Sequence, residues 1–492
     1  MSGNIPFTME DVIRNSYEVI IGLEVHVQLN TQSKIFCADP VAFGKEPNTL
    51  VGIVSLGLPG TLPRLNREVV SKGLQMALAC HCDISRTQHF DRKNYFYPDL
   101  PKGYQLTQDR SPLARGGYLA VPVRESILRI PLQKIHLEED AGKSMHDGDE
   151  KHSRVDFNRA GIPLLEIVTK PSINTPADAA AAVSEIRRLV RFLGVSDGNM
   201  EQGSLRCDAN VSIRSKGSSV LGRKVEIKNL NSTRNLTHAL DYDIERQIGL
   251  AEAGLPVTSE TRGFDAVDGK TFPQRVKEAL NDYRYFPDPD LPQLEVSDAW
   301  LEEIRATLPV LPEEWFNRMI DRYQLSPYDA LVVSETLQEA EYFESLCALG
   351  VRPKAAANWM MGPLKSLLND RGWEMSAFPV APGTFASAIG LVESNQVSFS
   401  AVAQKLLPVL LSSPGREPVE VARELGLILE EDDAALDKVI SGVLREFPLK
   451  VEAYREGKKG IVAMFMGEVM KRTAGKANPR KANELLTKKL SE

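Results

Sequence analysis

The chain has 492 residues, too many for one core when domains settle at about 100–200 residues. It is 42% hydrophobic and 25% charged, with 34 Gly and 30 Pro, which excludes a collagen, a coiled-coil rod and a globally disordered chain. Its formal charge of −7 favours solubility and excludes whole-surface attraction to nucleic acid, so any RNA contact has to be local.

The opening MSGNIPFTMEDVIRNS has neither a basic leader nor an apolar stretch after it. No apolar run approaches the roughly 18–20 residues of a membrane span, so a cytoplasmic protein without membrane contact is expected. Five cysteines (Cys37, Cys80, Cys82, Cys207 and Cys347) are few, odd in number and scattered, which argues against a disulfide framework. Cys80-His81-Cys82 is too tightly spaced to supply a usual pair of zinc thiolates.

In chain order, Leu23–Leu29 alternates strictly between apolar and polar, which predicts a strand with Glu24, His26 and Gln28 on one face and core on the other. Lys134–Asp140 reads as another strand. It ends in Glu138, Glu139 and Asp140, so at least one acid shares the side this strand faces. A helix is predicted from about Pro176 to Leu193, capped by Thr175, with Val183, Ile186, Val190 and Leu193 on one stripe and Gly194 ending it. Leu205–Arg214 buries Leu205, Cys207, Ala209, Val211 and Ile213 while presenting Arg206, Asp208, Asn210, Ser212 and Arg214. Lys224–Lys228 buries Val225 and Ile227 and presents Lys224, Glu226 and Lys228. A second helix spans about Ser232 to Ala253, stopped by Gly254.

Beyond Pro287–Pro292 the pattern turns helical, with a turn-rich break at SSPGREP (412–418) and a last helix opening at Asn478-Pro479. The expected organisation is an α+β domain over 1–292, an all-α domain over 293–411 and a small all-α tail over 412–492. Residues 451–492 carry ten basic residues against five acids, a net of +5. That pattern suits either a solvated helix face or phosphate contacts.

Carboxylates, an imidazole and cations on polar strand faces suit a site for Mg²⁺ and a polyphosphate, because carboxylate oxygens bind hard cations and Arg or Lys balances phosphate. A solvated antiparallel sheet shows the same alternation. His26, Asp208 and Asn210, however, are poor choices for a strand that need only be soluble. His136 fits either a ligand or a hydrogen-bonded structural residue. There is no G-x-x-x-x-G-K-[ST] loop, no strand-linked G-x-G-x-x-G and no G-x-S-x-G elbow, which disfavours P-loop, Rossmann and serine-hydrolase readings.

Nine ordered blocks carry a resemblance across nearly the whole chain: VIIGLEVHVQL (19–29), EPNTLVGIVSLGLPGTLPRLN (46–66), RKNYFYPDLPKGYQLTQ (92–108), HLEEDAGKS (136–144), VDFNRAGIPLLEIVT (155–169), GSLRCDANVSIR (203–214), EIKNLNS (226–232), ETRGFD (260–265) and DYRYFPDPDLP (282–292). With ANWMMGPL (357–364) and GEVMKRTAGKANPRKANELL (467–486), the chain resembles the B subunits of the aspartyl/glutamyl-tRNA(Asn/Gln) amidotransferases. The resemblance implies a catalytic domain similar to the glutamine synthetase and guanido kinase fold. It also implies ATP- and Mg²⁺-dependent phosphorylation of the side-chain carboxylate of misacylated Glu-tRNA(Gln) or Asp-tRNA(Asn), followed by displacement of phosphate by ammonia. A glutaminase A subunit would supply that ammonia through a tunnel, and a small C subunit would brace the pair in a heterotrimer.

Residue by residue, the matching motifs assign Glu24, His26, Glu139, Asp208 and Glu226 to the reaction centre. They assign His26, Glu138, Glu139, Asp208 and Glu226 to Mg²⁺, and Arg206 and Lys228 to phosphate or acyl-group contacts. Lys93 is the expected tunnel-exit residue, paired with Glu139. Many relatives carry a C-x-C…C-x-x-C zinc knuckle before GLPGTLP; here Cys37 stands with Asp39, Gly52 and Ser55, so no structural zinc is expected and packing should hold the loop. The competing reading is a tRNA-binding scaffold whose charged sheet is structural.

Overall fold

A computed structural model describes residues 16–491 apart from 124–125, 146–151, 277–282, 430–432, 474–476 and 478. The chain divides into two compact units, 1–318 and 319–492.

The first unit is built on one large twisted sheet. Along its main path run β1 (Tyr17–Gln28), β2 (Asp91–Asn94), β3 (Tyr104–Thr107), β4 (Ser126–Glu139), β5 (Pro163–Thr169), β6 (Leu205–Ser215), β7 (Val225–Leu230), β8 (Glu260–Asp265), β9 (Lys270–Val276) and the short β10 (Phe286–Pro287), while Asp83–Ile84, Ala114–Arg115 and Tyr118–Val123 pair off that path. They lie in the order β9-β8-β7-β6-β1-β5-β4-β3-β2-β10. Neighbours are antiparallel except β7 and β8.

The alternation read from the sequence is the alternation observed. Leu23, Val25 and Val27 of β1 and Leu205, Cys207, Ala209 and Val211 of β6 are buried in one core with residues of three helices, α1 (Arg67–Ala79), α2 (Pro176–Phe192) and α3 (Thr233–Glu252). Each aliphatic side chain taken out of water there contributes about 1.5–3 kcal/mol. Thr175 and Ser232 cap α2 and α3, accepting from Asp178 N and Asn235 N. Gly194 and Gly254 leave both helices at positive φ, where a Cβ is costly. Ser212, expected on the open face, is buried.

Helix α4 (Asp298–Thr307), which lies beyond the break read at 292, packs with the sheet: Leu301 and Ile304 join the same core.

The second unit is helical. A capping box at Thr336 and Glu339 opens Leu337–Ala348, and two π-helical turns, Met360–Leu364 and Val402–Leu406, interrupt its helices. Ser412 ends one helix and Pro418 begins the next, and Leu436, Ile440, Val443, Phe465, Val469 and Leu486 form a hydrophobic core belonging to the tail. The last helix runs Pro479–Ser491; the expected cap Asn478 lies outside the described residues. Among the described residues no helix is long and apolar enough to cross a membrane.

Candidate metal centre and its flanks

The polar face of the sheet lines up side chains by register. Arg206, His26, Glu166 and His136 face one another across β6, β1, β5 and β4, and the adjacent row brings Leu164, Glu138 and Thr107 together. Two carboxylates and two imidazoles therefore converge. His26 Nε2 lies 3.4 Å from Glu166 Oε2 and 3.9 Å from Glu138 Oε1. His136 Nε2 lies 3.3 Å from Glu166 Oε2 and 3.6 Å from Glu138 Oε2. Thr107 Oγ1 donates to Glu138 Oε2 at 3.3 Å.

The electrostatics follow from burial and facing charge. Burial pushes His136 down, but the charges of Glu166 and Glu138 outweigh it and hold the imidazole up at about 9. His26 is raised in the same way, against its own burial, by its hydrogen bond to Glu166 and by the nearby acids. Glu166 is driven well below the usual carboxylate range: burial opposes this, and His136 and then His26 overcome it. Donor atoms of His26, Glu138 and Glu166 all lie within 4.8 Å of one another. Two carboxylates and one imidazole suit a hard divalent cation such as Mg²⁺ or Mn²⁺, which would replace protons as their counter-charge.

Of the residues expected at the metal, the structure brings together His26 and Glu138. Glu139, next along β4, points to the opposite face, where its Oε1 accepts from Leu106 N at 2.9 Å and pairs with Lys102 Nζ. The expected Lys93–Glu139 pair does not form. Lys93 Nζ instead faces the rings of Tyr283 and Tyr95. The reason is strand alternation: adjacent residues 138 and 139 cannot share a face.

Asp208 and Glu226 belong to a second cluster around Lys228, whose Nζ lies 2.8 Å from Asp208 Oδ2 and 2.9 Å from Glu226 Oε1. Both acids, outweighing burial, raise the Lys228 pKa. Glu24 is the cross-strand partner of Asp208 and accepts from Asn210 Nδ2 at 2.9 Å. Arg206 donates through Nη2 to Asp140 Oδ2 at 2.7 Å, which also accepts from Gln28 Nε2 at 2.8 Å. Arg206 Nε is buried with no hydrogen-bond partner among the described residues. Beyond Gln28 opens a cavity of about 660 Å³ lined by Lys143, Arg159, Asn158, Asp197 and Ser204 among others.

Glu166 was not singled out by sequence reasoning, nor was Lys102. The only trace of Glu166 is an acid inside the otherwise apolar strand PLLEIVT.

The positions of the zinc knuckle do meet, although with a different chemistry. Asp39 Oδ2 accepts from Gly52 N at 2.7 Å and from Ser55 Oγ at 2.8 Å, and Cys37 Sγ lies 3.4 Å from Ser55 Oγ. Lys34, fully buried, has its Nζ 4.0 Å from Asp39 Oδ2. One thiol, one carboxylate and one hydroxyl do not make a tetrahedral zinc set. Hydrogen bonds to Asp39 help hold the loop that packing was expected to hold in place of zinc.

Residues 19–302 match the family model described as GatB/GatE catalytic domain, and residues 341–490 match the one described as GatB domain. The chain is 44% identical over 479 residues to the B subunit of the aspartyl/glutamyl-tRNA(Asn/Gln) amidotransferase of Carboxydothermus hydrogenoformans, covering 97% of this chain and 99% of that one. It is 45% identical over 476 residues to the corresponding protein of Thermodesulfovibrio yellowstonii (97% and 100% covered). With that of Moorella thermoacetica it shares 46% over 476 residues (96% and 100% covered).

Proposed function

The chain belongs to the GatB family of amidotransferase B subunits, and from that membership we propose that it amidates misacylated Glu-tRNA(Gln), Asp-tRNA(Asn) or both, with ATP. Ammonia cannot expel oxide from a carboxylate, whereas phosphate leaves an acyl phosphate readily, so the acyl side chain is first phosphorylated. The carboxylate oxygen attacks the γ-phosphorus of ATP, ADP departs, and ammonia then attacks the acyl carbon and releases phosphate. The observation that carries this reading is the cluster of His26, Glu138 and Glu166 on the polar sheet face, with cations beside it.

His26, Glu138 and Glu166 would hold Mg²⁺, which when bound screens phosphate charge. Arg206, fixed by Asp140, and Lys228, fixed by Asp208 and Glu226, present positive charge along the same face, where negative charge accumulates on the transferring phosphoryl group. Glu24 and Asn210 complete the polar lining. A sheet antiparallel but for one pair, with one charged face and one face on helices, is consistent with the glutamine synthetase and guanido kinase architecture.

A glutaminase A subunit supplies the ammonia and a small C subunit steadies the complex. The exposed Phe43, Ile53, Leu58, Leu62, Phe96 and Tyr97 offer apolar surface for such partners. Lys93 remains our assignment for the residue that meets ammonia at the site. We assign chemistry to 1–292, the helical stretch 293–411 to tRNA placement and the tail 412–492 to tRNA binding. Two tail cations are engaged internally, Arg472 with Glu446 and Lys489 with Asp437, so exposed Lys471 and Lys488 are the better phosphate contacts.

The test is ATP-dependent, ammonium-supported conversion of Glu-tRNA(Gln) to Gln-tRNA(Gln) by the reconstituted complex. Glu166→Ala, Asp208→Ala and Glu226→Ala should abolish conversion while tRNA still binds; full activity in all three makes this protein a tRNA-binding scaffold.

A further inference from the structure

Three tyrosines stand beside the metal centre without a role in the chemistry above. Tyr95 and Tyr283 meet edge to face with ring centres 6.0 Å apart, and Tyr283 and Tyr285 do the same at 5.9 Å. Lys93 Nζ sits 5.1 Å from the Tyr283 ring centre and 5.9 Å from that of Tyr95, tying the two rings together.

The fold places them at the reaction face. Asp91 lies opposite Thr107, which lies opposite Glu138, so the two-residue period of β2 puts Lys93 on the same face as Glu138. Glu138 is among the charges that, after burial, keep both Tyr95 and Tyr285 phenols above their ordinary value.

The other two rings flank a strained turn. Arg284 has φ +45°, a conformation that residues other than glycine rarely adopt. Asn94 holds it there: its N–H donates to Tyr283 O at 2.9 Å, and its Nδ2 donates to Tyr283 O at 3.2 Å and to Arg284 O at 2.9 Å. All three tyrosines keep part of their surface open to solvent. A turn held in an unfavourable conformation, displaying two half-open aromatic rings against a third beside a charged centre, is more than hydrophobic filling requires.

We propose, on the amidation reading above, that Tyr95, Tyr283 and Tyr285 form the stacking platform for an adenine base at the reaction centre. Aromatic rings take any purine face, and a base held there fixes what is attached to its sugar. Two reactants carry adenine: the terminal adenosine of the tRNA, whose ribose bears the acyl group, and ATP. The separate cavity beyond Gln28 has room for a nucleoside, so the platform falls to the terminal adenosine.

The experiment is a binding cycle in the reconstituted complex, without turnover, using tRNA(Gln) ending in CCA or shortened to CC, with wild type, Tyr283→Leu, Tyr283→Phe and Tyr285→Leu. Removing the terminal adenosine should weaken wild type and Tyr283→Phe roughly ten-fold, the scale of one base on one ring, and the leucine variants by no more than about two-fold. Equal losses in all four proteins overturn the assignment to terminal adenosine. If ATP affinity then falls roughly ten-fold in the leucine variants, the base is ATP's; if it is unchanged, there is no platform. Because binding is read without catalysis, a complex that binds tRNA and never amidates it defeats the amidation reading and leaves the cycle decisive.

Discussion

Glu166→Gln removes the charge on which the cluster of His26, His136, Glu138 and Glu166 is balanced. The carboxylate lies 3.4 Å from His26 Nε2 and 3.3 Å from His136 Nε2, and burial of His136 is outweighed chiefly by Glu166 in holding that imidazole at about 9. A histidine held at about 9 against an ordinary value near 6.5 contributes about 3 kcal/mol to folding. Its folded pKa is raised, so the contribution is complete below pH 6.5, where folded and unfolded chains are both protonated. It declines as the unfolded chain releases its proton and is gone once pH passes the folded value near 9. Glu166→Gln should therefore destabilise metal-free protein by about 2–3 kcal/mol at pH 6, by less at pH 8, and with little pH-dependent remainder at pH 10. Urea unfolding in chelator, with wild type and variant compared at each pH, cancels the helical unit from the difference. A destabilisation independent of pH, or one that grows toward pH 10, would falsify the charge balance described for these four side chains.

Further outcomes follow from the same geometry. Mn²⁺ should bind with proton release and weaken as pH falls from 9 to 6, because His26 must be neutral to coordinate; calorimetry in two buffers reads this, with binding lost in His26→Ala and kept in Glu139→Gln. Asp39→Ala should free the Cys37 thiol, now half-buried and pushed up by burial, to react faster with a disulfide reagent, and metal analysis of wild type should find no stoichiometric zinc. Lys102→Met leaves Glu139 charged and buried, at a cost of about 3–5 kcal/mol that the added Glu139→Gln change should largely restore; Lys93→Ala should spare folding and uncouple ammonia use from ATP turnover. Deleting residues 412–492 should weaken tRNA binding and flatten its salt dependence while leaving the ATP KM unchanged.

The period-two pattern made the catalytic sheet legible. Polar and apolar faces of β1, β6 and β7 could be read strand by strand, and Thr175, Ser232, Gly194 and Gly254 marked both long helices. What periodicity does not carry is which strands become neighbours. Glu24, His26, Glu138, Glu139, Asp208 and Glu226 all lie on strands of one sheet or at their ends, and a single reaction centre was expected from them. Strand order distributes them over separate groups. β5 enters between β1 and β4 and brings Glu166 against His26, while β7, on the far side of β6, carries Lys228 to Asp208. In the same way Lys102 reaches Glu139 from the turn before β3, a pairing with no local signature.

Glu166 shows why the decisive residue was hard to see and how it could have been found. β5 is a central strand with Leu164 and Val168 flanking Glu166 on its own face and Leu165 and Ile167 on the other, so no alternation announces a polar face. Yet an ionised carboxylate in a strand apolar on both sides is costly unless something positive meets it. Two imidazoles meet it here, and its charge and that of Glu138 raise both of them against their burial. A divalent ion binding at such a cluster would have to displace the protons that the acids favour on the imidazoles, with no purely acidic pocket to fill. Metal affinity and folding stability would thereby be tied to the same titration, so the pH of greatest metal-free stability should differ from the pH of tightest metal binding.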